Sequence, residues 1–337
     1  MNSELTSAAA RLCSTLDITC PIAQAPIGSA SCTALTAAVS NAGGLGTLAM
    51  SWRSIDDVRA SIQETRGLTD KPFAANLVLA WPQEERLDAC LDAGVRLISL
   101  FWGEPAPYIE RVVEAGGTAI VTVGSVSEAR RAADSGAGVI VAQGFEAGGH
   151  VRGTTSTFTL LPAVVGAVAP IPVLASGAIG DGRGIAAALA LGAAGVWLGT
   201  RFLATPESNI HAVYRNAIVG ARADDTVYGA VFDGGWLDAP HRVIRNRTVK
   251  AWEDAGRPSR GARPLEGEVV AHAPDGTPLL RYGDDIPVPG VTGDASELAL
   301  YAGQSAGVVD DIVPAEALVG RLWHETMAIV HALGAVR

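Results

Sequence analysis

Strand-like and helix-like runs alternate along this chain with a regularity that few folds can accommodate. Apolar strand-like runs recur at residues 22–27, 45–51, 73–78, 97–102, 118–123, 138–143, 172–176 and 195–199. Between them lie helical stretches at 33–41, 55–66, 84–93, 106–115, 126–135, 160–168 and 182–191, several of them stopped by a glycine such as Gly43, Gly67 or Gly94. Strands that are apolar throughout are buried on both faces, which predicts a parallel sheet covered by helices. Eight such strands are the number that closes a (β/α)8 barrel. An open doubly wound sheet would carry a G-x-G-x-x-G turn after its first strand. The glycines at 42–46 precede a strand instead and read as a helix stop. The expected fold is therefore α/β, a TIM barrel with a C-terminal irregular and helical appendage.

The pattern breaks after Leu203. Residues 209–223 read as helical, 224–293 are rich in Gly, Pro, Asp and Arg with little periodicity, and helix-like runs return at 295–302 and 315–333. Long irregular pieces in compact proteins are usually lids or substrate-side excursions. This predicts a barrel over 1–223, with a lid-like segment and C-terminal helices over 224–337 packed onto it.

Composition narrows the function. The 337 residues are 48% apolar, only 18% are charged, and the net charge is −10. An acidic chain without basic clusters argues against nucleic acid and against an anionic membrane surface as partners. Only two lysines occur, Lys71 and Lys250, which disfavours Schiff-base chemistry. Cys13, Cys20, Cys32 and Cys90 lack C-x-x-C spacing, so no zinc site is expected. The first residues lack the basic start and apolar core of a signal peptide, so a reduced, cytoplasmic protein is expected. The uncharged run 184–200 falls short of the about 20 residues a membrane span needs and reads as buried helix, turn and strand. Oligomer formation is left open.

In a barrel the chemistry sits at the C-terminal ends of the strands. Those positions include Gln24 and Pro26, then Asn76, then Gln143 with the glycine-rich loop that ends in His150. Glycines at 144, 148 and 149 would let a planar ligand lie on bare backbone. By itself this loop also suits a structural βα turn with a surface histidine. The loops after the last two strands carry Ser176, Gly177, Gly180, Gly199 and Thr200, small residues suited to a barrel phosphate site.

Taken together, the motifs Gln24-Ala-Pro-Ile27, 37–46, 142–150, 181–193 and 199–204 resemble the nitronate monooxygenase family, FMN-dependent TIM barrels related to flavin enoyl reductases and NADH:quinone reductases. The resemblance spans residues 20 to 210, and the stretch at 301–304 adds to it. It implies that Gln24, Asn76, Gln143, Gly148, Gly177, Gly199 and Thr200 contact FMN, with Ala25, Pro26, Gly149, Ser176 and Gly180 in the same set. It implies that His150 is catalytic, as a general base titrating near neutral pH or as a donor to the substrate's anionic oxygens. The implied substrates are an alkyl nitronate and O2, and no metal is implied. An NAD(P)H-dependent flavin reductase of quinones or enoyl groups uses the same barrel. A barrel with Cys32 as nucleophile is a further alternative. This chain departs from the family at Gly148-Gly-His-Val-Arg-Gly153, one residue longer than usual, and at Gly177-Ala178 in place of Gly-Gly.

Overall fold

The computed structural model describes residues 6–335. Eight parallel strands form the barrel: β1 (Ile22–Gln24), β2 (Gly46–Ala49), β3 (Phe73–Val78), β4 (Leu97–Phe101), β5 (Thr118–Val123), β6 (Val139–Gln143), β7 (Val173–Ser176) and β8 (Gly195–Leu198). Each follows its neighbour in chain order, and β1 pairs with β8. The last seam is narrow. Between β1 and β2, Ala23 lies opposite Leu45, Gln24 N–H donates to Leu45 O at 2.8 Å, and Leu45 N–H donates to Ile22 O at 3.0 Å. β1 ends three residues before its expected limit, at the approach to Pro26, which has no N–H to give a ladder.

Successive side chains of a strand point to opposite faces, and this sorts the core into two layers. Ala23, Ala74, Leu97, Ile120, Val141, Leu174 and Trp197 point inward and pack on Leu12, Cys13 and Leu16 of helix α1 (Ser7–Leu16), which plugs the barrel floor. Ile22, Leu48, Ala75, Ile98, Val121, Ile140 and Val196 point outward onto the surrounding helices. These are α2 (Thr33–Asn41), α3 (Ile55–Leu68), α4 (Glu84–Asp92), α5 (Ala106–Glu114), α6 (Val126–Asp134), α7 (Thr157–Val168) and α8 (Gly182–Ala190). Gly67, expected to stop a helix, lies inside α3. No helix among the described residues is long and apolar enough to cross a membrane.

After β8 come the short α9 (Thr200–Leu203), α10 (Ala212–Gly220), α11 (Arg247–Asp254) and α12 (Ala315–Gly334). A boundary at 223 does not separate barrel from appendage. Helix α12 packs on α8 and α2, and its Ala315, Leu318, Val319 and Leu322 join the core of the outer layer. It is the eighth outer helix, so the lid is an insertion between β8 and that helix. Asp311 ties the junction: its carboxylate pairs with the buried Arg201 of α9 at 2.5 Å and with Arg321 of α12.

The segment expected to be irregular is more ordered than its composition suggests. Thr226–Gly229, His241–Ile244 and Gly149–His150 form one antiparallel sheet, and Val269–His272, Pro278–Leu280 and Thr292–Gly293 form another. These strands have two to four residues each, too few to show a period. The helix expected at 295–302 is a single turn, Ala295–Glu297, followed by extended chain. Residues 300–302 run beside His241–Ile244, with Ile244 N–H donating to Leu300 O at 2.8 Å. That apolar run is buried as a strand is buried, which composition alone does not distinguish from a helix.

Because Leu12 is fully buried in the barrel floor, Leu12→Ala is expected to lower unfolding stability by about 2–5 kcal/mol. Denaturant unfolding checks this, and a change under about 1 kcal/mol would mean that the floor repacks.

Candidate active site

The inward-facing residues at the strand ends surround a cavity of about 500 Å3. Asn76, Phe101, Thr122, Gln143, Ser176 and Trp197 supply its barrel wall. Ala25, Pro26, Gly148, Gly149, His150, Gly177, Gly199 and Thr200 line it as expected. Gln24 and Gly180 are corrections. Gln24 shares the outward face of Ile22, because strand positions two apart point the same way. Its fully buried amide takes the Thr47 N–H at 2.9 Å and donates to Ser31 Oγ at 3.0 Å, outside the cavity. Gly180 is packed under the turn Gln304–Val308, where a Cβ would meet Val308 at 2.8 Å.

The glycines of the loop after β6 divide by purpose. A Cβ on Gly144 would lie 1.9 Å from Thr157 Oγ1, and one on Gly148 would lie 2.3 Å from Gly303 N. Both therefore need to be glycine for the chain to pack, and Gly148 lines the cavity as well. Gly149 is different: it is left-handed (φ 69°), and nothing stands where its Cβ would be. It turns the chain so that Gly149–His150 can pair with His241–Ile244, setting His150 opposite His241.

His150 is held by its surroundings. Gln143 Nε2 donates to its carbonyl at 3.0 Å. Its ring lies 4.1 Å from Trp236, 5.5 Å from Tyr301 and 5.4 Å from His241, centre to centre. Trp102 completes the enclosure, stacked edgewise on Trp236 at 4.8 Å. The Trp102 backbone is left-handed (φ 65°), a conformation costly for a bulky residue and characteristic of functional sites. Burial, with a smaller effect from His241, pushes the His150 pKa down to about 3. The ring is therefore neutral at physiological pH, contrary to the expectation that it titrates near neutrality. Its Nε2 is buried without a partner, as is Gln143 Oε1.

His241 plays another part. It is fully buried, its Nε2 accepts the Phe232 N–H at 3.1 Å, and its Nδ1 faces Ala239 O at 3.0 Å. These contacts fix the tautomer with the proton on Nδ1. Burial pushes its pKa down to about 4. Both nitrogens being engaged, His241 supports the strand that carries His150.

At the opposite end, the loops after β7 and β8 present backbone donors. The N–H groups of Gly177, Ala178, Gly199 and Thr200 have no acceptor among the described residues. Gly177 (φ 99°) and Ala178 (φ 61°) are both left-handed, so Ala178 holds a conformation that favours glycine. The Thr200 hydroxyl already accepts the Gly303 N–H at 2.9 Å, leaving its own proton to donate. Asn76 spends its amide nitrogen on Ser99 O at 3.2 Å and Ser99 Oγ at 3.1 Å, which leaves its Oδ1 for the cavity.

Several lining residues were not anticipated. Tyr301, Asp284, Asp285, Leu279 and Val291 come from the insertion, as does Trp236. They sit far along the chain from the strands they face, and only the Tyr301 stretch carried a sequence signal. Cys32 does not line the cavity; its Sγ donates to Glu207 O at 3.0 Å. Among the described residues no group of three or more His, Cys, Asp or Glu is placed to hold a metal ion.

Comparison with known proteins agrees with this geometry. A family model described as nitronate monooxygenase matches residues 9–85 and 79–325. A Mycobacterium tuberculosis protein named (3aS,4S,5R,7aS)-5-hydroxy-7a-methyl-1-oxo-octahydro-1H-indene-4-carboxyl-CoA dehydrogenase is 34% identical over 331 residues, covering 89% of this chain and 90% of the relative. A nitronate monooxygenase of Pseudomonas aeruginosa is 34% identical over 350 residues, covering 90% and 95%. Among solved structures, FabK from Thermotoga maritima superposes with a TM-score of 0.84 at 35% identity, covering 97% of this chain and 99% of that one. With its barrel, its histidine loop and these matches over nearly the whole chain, the protein belongs to the nitronate monooxygenase family of oxidoreductases.

Proposed function

We propose that the protein is an FMN-dependent oxidoreductase that oxidises a nitronate with O2 to a carbonyl compound and nitrite. The observation that carries this reading is the pair of orphaned buried atoms, His150 Nε2 and Gln143 Oε1, on two residues that line one cavity at the barrel mouth. Buried polar atoms left without partners are costly, and a ligand that supplies the partners removes the cost.

The residues present suit FMN. The free N–H groups of Gly177, Ala178, Gly199 and Thr200, with the Ser176 and Thr200 hydroxyls, would hold its phosphate. Gln143 Oε1 and Asn76 Oδ1 would accept from ring donors, and the open backbone at Gly149 leaves room beside the ring system. Bound FMN would supply the electron-accepting group, which no side chain of this site provides. His150, neutral and desolvated, would donate a hydrogen bond to the anionic oxygens of the substrate, the second of the two roles expected for it. Trp102, Trp236 and Tyr301 exclude water around that donor, which strengthens it.

A second reading, NAD(P)H-dependent reduction of a quinone or enoyl group, is favoured by one observation: among the described residues, no lysine or arginine lines the cavity to neutralise an anionic substrate. Anaerobic mixing of the flavin-loaded protein with propionate 3-nitronate, and in parallel with NADH, separates the two. Loss of flavin absorbance with the nitronate alone is expected, and loss with NADH alone would move the protein to the reductase reading.

Removing the donor in His150→Ala should leave flavin bound and lower kcat by about 10²–10³-fold; unchanged turnover removes the role. Between about pH 5 and 8 the rate should show no inflection from His150, since its protonated form is absent there. An inflection near about 6.5 that disappears in His150→Gln contradicts this assignment. Thr200→Val should weaken FMN binding by about 1.5–3 kcal/mol, read as the dissociation constant, and an unaltered value displaces the phosphate from that loop.

A further inference from the structure

We infer that Glu146 and Thr157 are positioning residues: they aim the N–H donors of the loop after β7 and tie that loop to the one carrying His150, so that a single scaffold holds the flavin phosphate and the histidine. This deepens the proposed function and rests on its placement of FMN in the cavity.

Glu146 belongs to the stretch between β6 and His150, yet it does not line the cavity. Its carboxylate turns to helix α7 instead. Oε2 accepts the Thr157 N–H at 2.9 Å and faces the Thr157 hydroxyl at 3.0 Å. The N–H groups in the first turn of a helix have no partner within the helix. Ser156, at the N-cap of α7, makes no side-chain cap. A carboxylate eleven residues upstream supplies one, and a negative charge is favourable at that end of a helix.

The Thr157 hydroxyl reaches further than a cap requires. Gly177 O lies 3.2 Å from Oγ1, so the single hydroxyl proton is shared between Glu146 and Gly177. Beside it, Gly144 N–H donates to Ser176 O at 2.8 Å. These two contacts decide where the donors after β7 point. In a planar trans peptide the C=O and the next N–H point in opposite directions. Holding Ser176 O therefore aims the Gly177 N–H, and holding Gly177 O aims the Ala178 N–H, both away from the β6 loop and α7. Both N–H groups are without an acceptor among the described residues. The packing is close: a Cβ on Gly177 would lie 3.0 Å from Thr157 Oγ1 and 3.1 Å from Gly144 O.

Through its backbone Glu146 also reaches the loop after β8. Its carbonyl accepts the Gln304 N–H at 3.0 Å, and the adjacent Gly303 N–H donates to the Thr200 hydroxyl at 2.9 Å. A Cβ on Gly303 would lie 2.8 Å from both Glu146 O and Gly148 N. His150 closes the same loop, its carbonyl held by Gln143 Nε2 at 3.0 Å. A shift of Glu146 thus displaces both donor turns and the histidine loop through direct contacts.

The flavin-depleted full chain, titrated with FMN and with riboflavin, which lacks the phosphate, tests the proposal. Quenching of flavin fluorescence reads each dissociation constant. Thr157→Val keeps the backbone cap and removes the hydroxyl. It should narrow the preference for FMN over riboflavin by about threefold to tenfold, with riboflavin binding unchanged. Glu146→Ala should narrow it as well, and Thr157→Ser, which keeps the hydroxyl, should keep the preference. A role confined to stability weakens both flavins alike, and that result in folded Thr157→Val overturns the proposal. Where Thr157→Val does not fold, Thr157→Ala is read in the same way. Thr157→Val should also lower turnover, and this loss should shrink in a His150→Ala background, since residues that act through one another are not additive. The same loss in both backgrounds overturns the link to His150. Equal binding of FMN and riboflavin by the wild-type protein overturns the phosphate placement of the proposed function and this inference with it. A hydroxyl-dependent preference for FMN in a protein whose flavin neither nitronate nor NADH reduces supports the positioning role and removes the proposed activity.

Discussion

The barrel depends on a seam three residues long. β1 is the shortest strand of the barrel sheet, yet it must pair with β8 on one side and close onto β2 on the other. Backbone bonds alone leave this edge thin, and the Gln24 side chain reinforces it by taking the Thr47 N–H of β2 and reaching Ser31 in the following loop. A buried amide with its hydrogen bonds made specifies one register, since a slipped strand would leave both ends of the amide unpaired. Every inward position at the mouth, from Asn76 to Trp197, holds its direction because that closure fixes the tilt of the strands around it.

Upon this frame the long insertion does the work of enclosure. It returns to the barrel at two places, pairing His241–Ile244 with Gly149–His150 and laying residues 301–305 against the loop after β6. The two histidines that face each other across that pairing have opposite fates. His241 has both nitrogens engaged, whereas His150 keeps an unpaired one. Identical side chains thus end with one fully engaged and one left with an open nitrogen, through what their neighbours offer them.

The sequence reveals the barrel because its strands are buried on both faces and its helices are amphipathic, so position alone determines environment. All eight strands fall where the apolar runs are, and the uncharged run at 184–200 resolves into α8, a turn and β8. The same reasoning reaches most of the cavity wall. It misplaces Gln24 by reading closeness to the strand end instead of counting in twos from Ile22, whose outward direction Gln24 shares. It overlooks the lid sheets because a strand of two to four residues has no measurable period. The depressed basicity of His150 is invisible in its own loop, since the groups that bury it lie between 48 residues upstream, at Trp102, and 151 downstream, at Tyr301.

The placement of α12 has an implication for how the chain reaches its final form. The slot between α8 and α2 is filled by a helix that leaves the ribosome only after the entire lid has been made. Until then the outward faces of β8 and β1 stay uncovered, while the segments that wall the cavity are already available to pack. Synthesis therefore orders assembly so that the enclosure can be tried against an unfinished barrel, and the last helix locks both at once through Asp311. A nascent chain stalled before Ala315 would present a continuous apolar groove, the kind of surface that holding chaperones recognise.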